Sequence, residues 1–180
     1  MGTAIILTSM SAKENINFVQ IDSIILSALA VWDRRNMSVW QSKAMDVISN
    51  IFPMIKITPE SLNISPSDNL NMLESLRDAA LYINEARLDS IYSHTNLMDQ
   101  TLEASNYQRK PLLVFFGAKD DLVPKFYACK MLSKLPQKNP KRWRFVFYPN
   151  GYRLLFRDLD RSVVIRNIKA WSISKETIIP

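Results

Sequence analysis

Pro111-Leu112-Leu113-Val114-Phe115-Phe116-Gly117 is the stretch that decides the fold. Five large apolar residues follow one another without a polar interruption, opened by a proline and closed by a glycine. A run this short, bounded by turn formers, predicts a buried strand ending in a turn rather than a helix. Outward toward the C-terminus, Lys125 to Leu135 carries helical spacing, Trp143 to Tyr148 reads as another strand, and Arg157 to Trp171 as a closing amphipathic helix. Toward the N-terminus lies a region from about Ala30 to Lys110 with helical spacing, punctuated at Pro53, Pro59 and Pro66. There Ser67 is the predicted cap of a helix starting near Asp68-Asn69, with Leu70, Leu73 and Leu76 as its apolar stripe. Before that region, Ile21 to Leu29 is short, continuous and β-branched, as a buried parallel strand requires, and Gly2 to Ser11 reads as a small-residue apolar helix.

Strand and helix thus alternate on both sides of a helical insert. This predicts an α/β fold: about three parallel strands with flanking helices and a helical cap insertion. The expected organisation is residues 1–29 as helix and strand of a core, 30–110 as the cap, and 111–180 as the rest of the core.

Composition sets the outer limits. With 180 residues, 47% of them hydrophobic, the chain suits one ordinary domain with a packed core. The formal charge of +6 raises the question of an acidic partner. Ten basic residues fall between Lys134 and Lys169 against only Asp158 and Asp160, with Trp143, Phe145, Phe147, Tyr148 and Tyr152 interleaved. A nucleic-acid stripe is the weaker explanation of that pattern, because Phe145, Val146 and Phe147 sit where a buried strand needs them; no nucleic-acid partner is expected. One cysteine, Cys129, excludes an internal disulfide framework and fits a reducing, cytoplasmic setting. No apolar run reaches the roughly 20 residues of a membrane span. Two residues of His and Cys type in total are not at ligand spacing, and glycines only at 2, 117 and 151 exclude a phosphate loop, so neither metal nor other cofactor is expected.

Five strings carry a more specific signal: Ile25-Leu26-Ser27-Ala28-Leu29-Ala30-Val31-Trp32, Pro66-Ser67-Asp68-Asn69, Leu97-Met98-Asp99, Gly117-Ala118-Lys119-Asp120-Asp121-Leu122-Val123-Pro124, and Gly151-Tyr152. In this order they resemble bacterial α/β-hydrolases of the monoacylglycerol lipase and lysophospholipase type. The resemblance implies a partial α/β-hydrolase fold. It also implies that Met1-Gly2-Thr3-Ala4 is the continuation of the Gly-x-Ser-x-Gly elbow, so that nucleophile and oxyanion loop are expected before residue 1. Met1 would then stand where an oxyanion donor belongs.

The same resemblance makes Asp120 the remnant catalytic acid, with Asp121 ranked second. Where such enzymes read Gly-Tyr-His, this chain reads Gly151-Tyr152-Arg153. Arginine stays protonated and cannot accept a serine proton, so an Arg153–Asp120 salt bridge is expected in place of an acid–base pair. His94 falls by register in the cap and not in the catalytic loop, and Cys129 is expected as buried small-residue packing. Cap residues such as Trp32, Trp40, Phe52, Met54, Ile55 and Leu97 are candidates for an acyl-binding wall. The resulting expectation is a truncated, inactive remnant of a serine carboxylester hydrolase acting on monoacylglycerol or lysophospholipid. Its alternatives are a lipid-binding or assembly module that pairs with a separately encoded N-terminal half, and a hydrolase active only when completed by that half. The basic surface, if contiguous, would favour anionic lipid interfaces, and an unpaired strand edge at Ile21 to Leu29 would favour aggregation.

Overall fold

In a computed structural model the described residues are 1–11, 20–34, 40, 43, 46–48, 51–58, 64–80, 85–136 and 143–174. Lys13 to Asn17, Met37, Met45, Pro59 and Lys138 to Arg142 lie outside them. The elements are α1 (Gly2–Ser11), β1 (Ile24–Leu26), β2 (Lys56–Ile57), α2 (Leu70–Arg77), β3 (Ala86–Arg87), α3 (Leu88–Ala104), β4 (Leu112–Gly117), α4 (Lys125–Lys134), β5 (Trp143–Tyr148) and α5 (Arg161–Ser174). A 3-10 turn, Ser105–Tyr107, follows α3.

Strands β1, β4 and β5 form one sheet in the order β1-β4-β5, all parallel. All six residues of β4 are buried, as its unbroken apolar sequence demands for a strand covered on both faces. Its side chains divide by alternation. Leu112, Val114 and Phe116 join Ala4 and Leu7 of α1, Met98 and Leu102 of α3, and Met131 of α4. Leu113 and Phe115 face the other way, into a cluster with Val146, Tyr148, Leu155, Val164 and Trp171 beneath α5. Helices on both faces of a parallel sheet make the fold a partial doubly wound α/β structure.

Between β1 and β4 the chain departs from the sheet and returns along α3, whose C-terminal half packs on α1 and into the core. Asp33 and Arg34, just after the β1 loop, fasten this excursion. Lys130 Nζ lies 2.5 Å from Asp33, and Arg34 Nε donates to Asp99 at 2.5 Å.

Several local features differ from the sequence prediction. β1 covers only Ile24–Leu26, because β4 offers it the matching residues Leu112, Leu113 and Val114; Leu29, Ala30 and Val31 are buried without joining the ladder. The region expected to hold only helices contains a short antiparallel ladder, Lys56 opposite Arg87 and Ile57 opposite Ala86. Asn69, not Ser67, caps α2, its side chain accepting from the Met72 amide at 3.2 Å. Helix α2 buries none of its residues, and Leu70 is 68% exposed. Cys129 is exposed rather than buried: it lies on the solvent side of α4, whose inner face uses Ala128 and Met131. The last helix starts at Arg161, after turns in which the Arg157 and Asp158 amides both donate to Leu154 O.

Candidate functional site

The C-terminal ends of β4 and β5 lie side by side and carry the candidate site. The Ala118 amide donates to Tyr148 O at 2.9 Å, and the Lys119 amide to Gly151 O at 2.9 Å. These bonds need two bare backbones in contact. A Cβ on Gly117 would stand 2.5 Å from the carbonyl oxygens of Gly151 and Tyr152, and one on Gly151 would meet Leu155 at 2.4 Å.

Asp120 follows immediately. Its Oδ1 accepts from the amides of Leu122 at 3.0 Å and Val123 at 3.2 Å, a local turn that fixes the carboxylate. Arg153 reaches it from the loop after β5: Nη1 donates to Oδ1 at 3.2 Å and to Oδ2 at 2.9 Å. The Asp120 side chain is 2% exposed and that of Arg153 15%, so the pair is largely screened from water. A guanidinium therefore faces both oxygens of this buried carboxylate. Asp121 points elsewhere; its exposed Oδ2 accepts from the Ser65 amide at 3.4 Å.

The loop bearing Arg153 is held by the segment Ser65–Asn69. Buried Ser67 Oγ donates to Asp158 Oδ1 at 2.6 Å, and Asp158 Oδ2 accepts from the Tyr152 amide at 2.8 Å. The Leu154 amide donates to Pro66 O, Asn69 Nδ2 to Arg157 O, and the Leu159 amide to Asp68 Oδ1. Ser67 and Asp158 are thus positioning residues that the sequence prediction misses, since nothing local in either pairs them.

A concavity of about 390 Å³ is lined by Met1, Asp89, Ser90, Ser93, His94 and Leu97. His94 lies on α3, within the 30–110 segment and outside the Asp120 loop. Helix α3 carries it into this concavity, where burial, then the Met1 amino group, then Arg153 lower its pKa below the ordinary 6.5. Its Nε2 is buried and has no hydrogen-bond partner among the described residues. The Met1 amino group is likewise lowered from 8.0, by burial and by Arg153. Met1 is 64% exposed, and its carbonyl accepts from the Ala4 and Ile5 amides of α1.

Of the apolar wall candidates, Leu97 lines this concavity. Trp32 instead stacks on Tyr127 of α4, with centroids 4.7 Å apart and packed against the core. Trp40 is 82% exposed, and Phe52, Met54 and Ile55 are also exposed. Among the described residues no group of three or more His, Cys, Asp or Glu is arranged to hold a metal ion, and no helix is long and apolar enough to cross a membrane.

A parallel sheet with Asp120 on the turn after β4 and a second loop folded onto it after β5 is the framework of an α/β hydrolase. The chain belongs to the hydrolase family described as serine aminopeptidase S33, whose model matches residues 1–160. Among solved structures it is similar to the monoacylglycerol lipase of Paleococcus ferrophilus, with 15% identity and a TM-score of 0.72 over 97% of this chain and 65% of that one. It is similar also to a soluble variant of monoglyceride lipase from Saccharomyces cerevisiae, with 16% identity and a TM-score of 0.66 over 94% and 60%. A third likeness is to a structure from the metagenome-derived lipolytic enzymes LipS and LipT, with 12% identity and a TM-score of 0.64 over 95% and 61%. The chain spans between 60% and 65% of the length of these three structures. No curated protein matches it.

Proposed function

We propose that this chain is a non-hydrolysing relative of lipid and carboxylester hydrolases: it keeps the acid loop and the cleft-side scaffold but does not turn over esters. The observation that carries this reading is the Arg153 guanidinium on Asp120. Serine activation needs a group that takes a proton and returns it. A guanidinium is protonated throughout the physiological range and has no lone pair to offer. The chain's one histidine, His94, approaches the loop from α3 but makes no hydrogen bond to Asp120, so it lacks the carboxylate contact that orients a triad base.

The test is ester turnover by the purified chain on a short-chain p-nitrophenyl ester and on a monoacylglycerol, with fluorophosphonate labelling as a second readout. Rates at buffer background and no labelling are expected. Turnover above background that disappears in Asp120→Ala would overturn the reading.

A second reading is favoured by the outer edge of β1, which has no strand beside it among the described residues. It is an assembly module whose sheet is extended by further strands from another polypeptide, forming a cleft that holds an acyl ligand without turnover. Co-expression with an N-terminal hydrolase half should then give co-purification and a higher soluble yield. Independent behaviour of the two chains would count against it.

A further inference from the structure

Helix α5 turns Val164, Asn167 and Trp171 into the core, and Trp171 is fully buried. On the opposite side Arg161, Ile165, Lys169 and Ile173 follow at intervals of four residues and so stack in one row, with Arg166 beside it. All five are exposed, Ile165 by 52% and Ile173 by 77%. The helix contains no Asp or Glu; the flanking carboxylates in sequence are Asp160, just before its start, and Glu176, two residues past its end. No ion pair joins Arg161, Arg166 or Lys169 to any described residue. The arrangement is unfavourable in water on two counts: like charges one turn apart repel, and two isoleucines stay wet.

We propose that this outward face of α5 is a docking surface for an anionic phospholipid bilayer. Such a surface relieves both penalties together. Basic side chains reach the phosphate level, their stems lying along the apolar boundary, while the isoleucines between them enter the acyl region. The charge on the face is of one sign, which selects an anionic surface over a neutral one. The central isoleucines, with no aromatic ring between the cations, favour lipid over nucleic acid, which would leave them against phosphate or water. This inference does not depend on whether the cleft turns over esters, because the row lies on an outer helix face rather than at the Asp120 loop.

The experiment is co-sedimentation of the full chain with vesicles of phosphatidylcholine alone and of phosphatidylcholine mixed with phosphatidylglycerol, at low and high salt. Binding to the mixed vesicles only, weakened by salt, is expected. Arg166→Gln and Lys169→Gln should each lower partitioning roughly fivefold, equivalent to about 1 kcal/mol per basic residue. Ile165→Ser with Ile173→Ser should weaken binding while keeping its salt dependence. All four positions are exposed, so thermal melting of these variants should match the parent and separates lost binding from lost folding. Equal partitioning to neutral and mixed vesicles, or indifference to both charge neutralisations, would overturn the proposal. Retention of an RNA oligonucleotide without vesicle binding would also overturn it and assign the face to nucleic acid.

Discussion

At Arg153 a fixed positive charge is set on the buried Asp120 carboxylate and ties the loop after β5 to the turn after β4. Removing it should therefore register as stability. In Arg153→Ala, Asp120 remains buried but keeps its two backbone donors, Leu122 and Val123. A loss of about 2 kcal/mol is expected, below the roughly 3–5 kcal/mol of a fully orphaned buried charge. Chemical denaturation would measure it, and Arg153→His, which can still donate to Asp120, should lose less. His94 gives a second expectation, set by its lowered pKa. As pH falls the unfolded chain takes up the proton first, at its ordinary value near 6.5. The stability present above that value is then lost as pH drops through the lower folded pKa. His94→Gln should accordingly flatten the fall in melting temperature between about pH 7 and about pH 5. The contact between Asp120 and Arg153 was legible in the sequence because each lies in a short string on the loop after a strand. The concavity that His94 shares with Met1 was not, since it depends on how α3 packs against α1.

At the scale of elements, the segment Ser65–Asn69 and the loop 151–159 behave as one unit joined by side-chain and backbone bonds. Ser67→Ala removes a 2.6 Å bond to a buried carboxylate and should destabilise by about 2 kcal/mol. Faster amide exchange at Tyr152, whose N–H shares Asp158, would distinguish loosening of this unit from a uniform loss of stability. This coupling explains why the predicted caps shifted. Ser67 satisfies a carboxylate 91 residues away, leaving Asn69 to cap α2. Strand β5 and helix α1 were read with their observed ends because their signals are local and continuous. The two-residue ladder of β2 and β3 has no periodicity to read, and a cysteine on a half-buried helix gives no sign of the face it takes.

For the whole molecule, the layered α/β plan follows from the alternation of apolar runs, and the parallel order of β1, β4 and β5 matches it. Pattern alone does not show which surfaces remain uncovered. Ile5 and Ile6 of α1 are 48% and 39% exposed, and β1 lies at the sheet's edge. Self-association through this region is expected, and replacing both isoleucines by lysine should shift the chain toward monomer in size-exclusion chromatography with light scattering without lowering its melting temperature. The register of β1 carries one more consequence, in time rather than space. Ile24 pairs with Leu112 and Leu26 with Val114, so among the described residues β1 meets its ladder partner only after the 85 residues that separate Leu26 from Leu112 have been made. At typical synthesis rates of about 5–20 residues per second, Ile24–Leu26 spends on the order of 10 s on the ribosome without its ladder partner. Closing so long a loop also makes this pairing a late, slow step of refolding, so the birth of the chain is the moment at which it most needs a chaperone.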